Sequence, residues 1–382
     1  MKRKLLVVTS YVLVSALTAT MTLAIVFWQR GGLSKLEQLE ELIEHYYIEE
    51  ADQTVLEDAA AAAMIAATGD RWSYYIPASE YASYIETQEN AYVGIGITII
   101  VAEDGSGLQV MEVNPGSSAE EAGIRVDDVI IGIEGHDAAG MTTTEARELV
   151  RGKEGTTVQI TIRRGDQTIT MPVFRRRVEV AVATGVMLDE NTGLISIVNF
   201  DDRCADETEA AIESLRTQGA EKLIFDVRNN PGGYAHELVK LLDYLLPEGD
   251  LFRTVDYAGR EDVDRSKEGS LDMPMAVLVN RESYSAAEFF AAAMQEYEAA
   301  VIVGEKTTGK GRFQSTFTMN DGSAVAISIG KYFTPKGVSL EGVGIEPDVE
   351  VSVDEETFVD IYYGQLEPME DPQVLAALDA LK

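Results

Sequence analysis

The stretch MAVLVNRESYSAAEFFAAAMQEYEAAVIVGEKTTGKGRFQ (residues 275–314) alternates an apolar run, an alanine-rich segment and a second apolar run. Met275 to Val279 reads as a buried strand, Ser285 to Tyr297 as a helix, and Val301 to Val303 as a strand. Strands alternating with helices imply an α/β layered body. Ser285 stands at the seam between the first strand and the helix, Lys310 follows 25 residues later between two glycines, and Gln314 lies four positions beyond. A serine hydroxyl is a poor nucleophile until a base takes its proton, and a lysine is that base only when neutral. The chain has three histidines (His45, His136 and His236), none of them in this stretch. A Ser-Lys hydrolase therefore fits better than a Ser-His-Asp one. Two plainer readings compete: Ser285-Ala286-Ala287-Glu288 is also a helix capping box, and Ser283 is a second candidate nucleophile. Lys306, a rival base, reads as a solvated loop lysine.

Composition narrows the class. The 382 residues allow two or three domains. A net charge of -34 argues against nucleic acid as a partner, since phosphates require basic surface. Cys204 is the single cysteine, so the chain has no internal disulfide and no Cys/His zinc site; no metal or cofactor is expected. At the N-terminus, Lys2, Arg3 and Lys4 precede an uncharged, mostly apolar run of 24 residues, Leu5 to Trp28. That length crosses a hydrocarbon core of about 30 Å at about 1.5 Å per residue. The run exceeds a signal peptide's apolar region. It reads as an uncleaved signal anchor with a cytoplasmic tip, so the rest of the chain is expected outside the cell membrane as a single-pass protein. Residues 33–90 then read as a helical segment, with Leu36, Leu39, Ile43 and Tyr47 at helical spacing and a second helix from Val55 to Thr68. These helices dock either on the catalytic body or on a second copy, which leaves a homodimer open.

Residues 91–178 change character. VGIGITIIV is a strand entered through a Gly-x-Gly turn, LQVMEV a second, and Val129 to Ile133 a third. Between them lies a short helix, Ser117 to Ala122, stopped by Gly123. A helix from Thr142 to Val150, capped by Gly152, precedes a hairpin around Arg164-Gly165-Asp166. This order, with PGSSAEEAGIRVDDVIIGIEG, resembles a PDZ domain. The resemblance implies that the amides around Gly94, Ile95 and Gly96 cup a peptide's terminal carboxylate, and that the following strand accepts the peptide as an added strand.

From Val186 onward strands and helices alternate, and residues 179–352 read as one catalytic core; 255–272 is charged and reads as a loop or flap. DVRNNPGGY (residues 226–234) follows a buried strand and opens a helix, leaving glycine amides uncovered. An acyl-transfer site needs such donors at a developing oxyanion. Residues 353–382 read as an acidic tail with a last helix from Pro372 to Leu381.

DVRNNPGG, the S-x-S-x-x-E phrase, VIVGEKTTGKGRFQ and YFTPKGVSLEGVGIEPDV resemble, in order and spacing, the motifs of the C-terminal processing peptidases (tail-specific proteases), over about Leu36 to Val351. The resemblance implies a crotonase-like α/β protease core with an inserted β-rich PDZ domain, and protein C-terminal tails as substrates. It implies Ser285 as nucleophile, Lys310 as general base and Gln314 as the residue that orients the lysine. The oxyanion hole would comprise Ala286 and an amide of Gly232 or Gly233. Tyr284 and Ala287 depart from the family's small residue and serine, and Thr308 from its aromatic.

A free lysine has a pKa near 10.4, so a base at neutral pH needs a drop of about 3 units, roughly 4 kcal/mol. Desolvation must supply it, with Gln314 as a neutral partner. The alternative from another class is a catalytically silent, membrane-tethered PDZ scaffold.

Overall fold

The computed structural model describes residues 13–22, 34–102, 104–267 and 269–382, and the chain divides into two compact units that meet between Tyr75 and Ile76. The apolar run Leu5 to Trp28 lies outside the described residues except for 13–22, which are helical. Among the described residues no helix is long and apolar enough to cross a membrane. In the first unit α1 (Lys35–Tyr46) starts at a reciprocal cap between Ser34 and Glu37, and α2 (Gln53–Ala66) starts at Asp52, whose carboxylate accepts the Thr54 and Val55 amides.

The second unit opens with α3 (Ala78–Gln88). A two-stranded ribbon then leads into and out of the PDZ domain: β1 (Ala91–Gly94) pairs antiparallel with a strand 85 positions on, Ala91 facing Glu179. Inside lie β2 (Ile97–Val101), β3 (Leu108–Val113), α4 (Ser118–Ala122), β4 (Val129–Ile133), α5 (Thr143–Val150), β5 (Thr157–Arg164) and β6 (Gln167–Phe174); β7 (Arg176–Glu179) closes the ribbon. The sheet order is β2-β3-β4-β5-β6, so β2 is an edge strand. Its core alternates along the strands, with Leu108, Val110, Ile130, Ile133, Val158, Ile160 and Ile162 fully buried. The α4 helix ends at Gly123 in the left-handed region, as its spacing predicts. The α5 helix does not reach Gly152: it ends at Arg151, which turns extended.

The α/β body comprises β8 (Ala183–Met187), β9 (Thr192–Ile197), α6 (Cys204–Gln218), β10 (Lys222–Asp226), α7 (Ala235–Leu245), β11 (Gly249–Asp256), β12 (Glu261–Ser266), β13 (Met275–Val279), α8 (Ala286–Glu296), β14 (Ala300–Gly304), β15 (Arg312–Thr318), β16 (Ala324–Phe333), β17 (Val349–Glu350), α9 (Glu355–Tyr362) and α10 (Pro372–Ala380). The main sheet runs β8-β9-β10-β13-β14-β17; it is parallel apart from the antiparallel edge pair β8 and β9. Strands covered on both faces need apolar residues at every position. The β13 sequence MAVLV obeys this: Val277 and Val279 join Phe225, Phe290 and Leu242 on one face, while Ala276 and Leu278 join Ile224 and Val303 on the other.

That second face is covered by α10 through Val374, Ala377 and Leu381. The segment read as a tail is therefore part of the core. Arg228, 5% exposed, fixes it further by pairing with Asp226 and Asp371 at 2.6 Å each. Burial works against the guanidinium's charge, but the two carboxylates hold it firmly ionised. Removing one partner of such a buried pair costs about 3–5 kcal/mol.

Two expectations need correction. The span 255–272 is not simply a loop: β12 lies inside it and pairs antiparallel with β11, which ends at Asp256, and β16 joins β11 on the other side. Its strand EDVDRS lacks an apolar face because only its backbone is needed for pairing, while Arg265 and Arg253 both hold Asp250. The acidic run after Val351 also carries a helix, α9, which starts at Asp354 with its carboxylate capping the Thr357 amide at 2.8 Å.

Candidate active site

Three adjacent parallel strands, β10, β13 and β14, deliver the loops of interest from their carboxyl ends, where open α/β sheets place ligands. After β10 comes the Asn229–Gly233 turn, after β13 the Ser283–Ser285 turn, and after β14 the loop containing Lys310. Side-chain amides knit the first two together. Asn280 Oδ1 accepts the Asn229 amide at 3.0 Å, and Asn280 Nδ2 donates to Asn229 Oδ1 at 2.8 Å. The Tyr284 amide donates to the Asn230 carbonyl at 3.1 Å.

The two candidate serines separate at once. Ser283 is fully buried, and its hydroxyl donates to the Val227 carbonyl at 2.7 Å, tying the turn to the end of β10. Ser285 heads α8 with φ 58° and ψ −126°, far from the extended conformation of an N-cap serine. A side chain in that region is strained by about 1–3 kcal/mol, a device common where a nucleophile is presented on a sharp strand-to-helix turn.

Gly232 packs directly on this turn. A Cβ there would lie 2.6 Å from Ser285 Cβ and 2.7 Å from the Ala286 nitrogen, so only glycine fits. The Gly232 amide is already taken by Asn230 Oδ1 at 2.8 Å. Among the described residues the Gly233 and Ala286 amides donate to no partner. Of the three donors expected from sequence, these two are open.

Glu288 was legible in the sequence only as a helix cap. It is fully buried and binds both halves of the site. Oε2 accepts the Ser285 amide at 3.1 Å and the Lys310 amide at 2.8 Å; Oε1 accepts the Gly309 amide at 2.7 Å and the Thr307 hydroxyl at 2.5 Å. The Ser285 turn and the Lys310 loop thus meet on one carboxylate oxygen. Burial pushes the Glu288 carboxyl above the usual glutamate range, while the hydroxyl and the three amides pull it back. A second tie joins the same loops, from the Thr308 amide to the Ser283 carbonyl at 3.2 Å.

Lys310 is half-buried, with Nζ 5.7 Å from the centre of the Tyr284 ring. Tyr284, the departure beside the nucleophile, therefore forms part of the lysine's surroundings. Gln314 is part-buried on β15, and its amide nitrogen donates to the Arg312 carbonyl at 3.2 Å and to Ser328 Oγ at 2.9 Å. Lys306 pairs with Glu346 on the surface. His236 is exposed on α7, 3.0 Å from Asp202. Among the described residues no group of His, Cys, Asp and Glu could hold a metal ion.

In the PDZ domain, Gly94, Ile95 and Gly96 line a groove of about 400 Å³ together with β2 and the face of α5. The Ile95 and Gly96 amides have no partner among the described residues. Gly96 has φ 79°, and a Cβ there would lie 2.5 Å from Ser117 Cβ.

A strained serine on an α/β sheet, a lysine loop tied to it and an edge-strand groove define a serine-type peptidase with a PDZ domain. Residues 191–351 match the model of peptidase family S41, and residues 109–164 match that of the PDZ domain. The chain is 34% identical over 322 residues to the carboxy-terminal processing protease CtpA of Bacillus subtilis, covering 84% of this chain and 69% of that protein. It is 32% identical over 330 residues to a probable CtpA-like serine protease of Staphylococcus haemolyticus, covering 85% and 66%. Among solved structures, the photosystem II D1 C-terminal processing protease is similar at 27% identity and a TM-score of 0.48, covering 82% of this chain and 86% of that one. The chain belongs to peptidase family S41, among the C-terminal processing serine proteases that carry a PDZ domain.

Two outcomes follow from this geometry. Because Ser285 occupies a backbone region suited to glycine, Ser285→Gly should unfold at a higher denaturant concentration than Ser285→Ala, by about 1 kcal/mol; equal midpoints would mean the strain is absent. Glu288→Gln removes acceptor capacity from a buried charged site, where each bond is worth about 1.5–3 kcal/mol. It should lower kcat/KM at least about tenfold with peptide binding intact. In the parent protein, an NMR titration of the Glu288 carboxyl should give a midpoint above that of an ordinary glutamate, near pKa 4.3; a midpoint at or below that range would contradict the effect of its burial.

Proposed function

We propose that this protein is a membrane-anchored, extracytoplasmic endopeptidase that holds the C-terminal tail of a protein in its PDZ groove and cuts upstream by a Ser-Lys mechanism. The observation that carries the reading is the shared Glu288 oxygen, which binds the Ser285 and Lys310 amides at once. In the proposed reaction the neutral Lys310 amine takes the Ser285 hydroxyl proton as Oγ attacks the scissile carbonyl carbon. The resulting oxyanion accepts hydrogen bonds from the Gly233 and Ala286 amides, assisted by the positive end of α8. Collapse breaks the C–N bond, and the leaving amine carries off the proton from Lys310. Water, deprotonated by the same lysine, then hydrolyses the acyl-enzyme and restores Ser285.

The energetic requirement falls on Lys310. It is half-buried, and a polypeptide lying across the site would complete its desolvation. Tail binding and base activation are then one event. Gln314 donates through Nε2 to Arg312 and Ser328, and its Oε1 is the acceptor that would orient the lysine.

Mass spectrometry of tail peptides should reveal products with the parent enzyme and none with Ser285→Ala, which should still bind the peptides. Lys310→Arg should be nearly as inactive, because arginine stays protonated. Cleavage by Ser285→Ala would remove the nucleophile from this account. A parent enzyme that neither cleaves nor reacts with a serine-directed probe would favour the silent scaffold. The anchor is proposed from Lys2-Arg3-Lys4 and the run behind it. Alkaline carbonate washing of cell membranes should leave the protein in the pellet; release into the wash would refute the anchor.

A further inference from the structure

We infer that the PDZ groove selects tails carrying an acidic side chain within their last four residues, and that Arg147 reads that charge. The inference rests on the reading that the groove takes C-terminal tails, and deepens it. The groove's wall is one face of α5, which presents Thr143, Arg147, Val150 and, at its end, Arg151 opposite β2. Its floor is apolar, with Ile95 almost fully buried and Ile97 and Ile99 beside it. Such a floor suits an apolar side chain but gives no reason for two guanidinium groups on the wall.

The charges around them supply the reason. The domain has eight arginines, and six of them reach a carboxylate: Arg151, Arg163, Arg164, Arg175, Arg176 and Arg177. Arg125 and Arg147 have no ion pair among the described residues, and of these two only Arg147 lines the groove. In a chain with 65 acidic against 31 basic residues, a guanidinium left without a carboxylate is the exception. Arg147 and Arg151 also line the same groove, so two like charges that repel share one wall. Arg151 is itself incompletely satisfied: its contact to Glu86 is 3.4 Å, and its buried Nε has no partner. A carboxylate arriving in the groove would relieve the repulsion and satisfy a planar donor set that favours bidentate pairing. The net charge of -34 opposes an acidic peptide at long range, but charges beyond about 8 Å are screened at physiological salt. Local pairing decides.

The test uses the full chain as Ser285→Ala, so that peptides survive, and fluorescence polarisation of labelled ten-residue peptides ending in valine. Peptide pairs differ only by Glu against Gln at the second, third or fourth residue from the end. At least one Glu peptide should bind about three- to tenfold tighter than its Gln twin, the range expected of an exposed to half-buried ion pair. The advantage should shrink in 0.5 M salt and vanish in Ser285→Ala/Arg147→Gln, while the Gln peptides keep their affinity. Equal binding within all three pairs, or a Glu preference that survives Arg147→Gln, overturns the inference. Amidated peptides separate this from the parent reading: if free-acid and amidated forms bind alike, or neither binds, the groove is no tail site and both readings fall together.

Discussion

One buried carboxylate holds this catalytic centre together. Glu288 lies a single turn into α8 and accepts four hydrogen bonds from two separate loops. An ionised side chain without solvent contact is costly unless fully hydrogen-bonded. Here that cost becomes a constraint: the carboxylate is tolerable only if the loop after β14 brings Thr307, Gly309 and Lys310 up to the turn after β13. The serine and lysine, 25 residues apart in sequence, are brought together by the solvation demand of a third residue that does no chemistry in the proposed reaction.

The surrounding network extends the same logic outward. Asn280 and Asn229 join the ends of β13 and β10, Asn230 takes the Gly232 amide, and Arg228 ties the turn to α10. Phe200 continues it toward the PDZ ribbon: its amide donates to the Gly232 carbonyl at 2.8 Å, and its carbonyl accepts the Tyr234 amide at 2.7 Å. On either side of Phe200, Asn199 and Asp201 accept Asn90 Nδ2 at the entrance to β1, and Arg203 donates to the Val180 carbonyl just past β7. The linkers of the peptide-binding domain and the turn bearing the open Gly233 amide are thus held by consecutive residues of one segment.

Much of the architecture was legible because burial on both faces leaves a mark that hydropathy detects. LIF in β10, MAVLV in β13 and VIV in β14 have no other explanation than a covered sheet, and Gly123 marks the end of α4 by its left-handed backbone. Elements stabilised by backbone pairing or by charge left no such mark. The β12 strand is polar on both faces, and α9 begins in a run of acids whose first member is its cap. The α10 helix was visible, but its place in the core was not, because Val374, Ala377 and Leu381 form an apolar stripe that would suit any partner.

By itself the sequence determined the α/β class, the PDZ-like order of elements and the family, because these depend on local periodicity and on motifs carried within short segments. It also led to the expectation of a serine and a lysine at the site, since no histidine stood near. Only the tertiary structure separates Ser283 from Ser285 and the Gly232 amide from that of Gly233 by their hydrogen-bond partners, and adds a bridge to the capping role of Glu288. Each of those choices turns on which hydrogen-bonding groups already have partners, and the partners come from strands and loops distant in the chain. Periodicity carries no record of them; proximity in the folded molecule does.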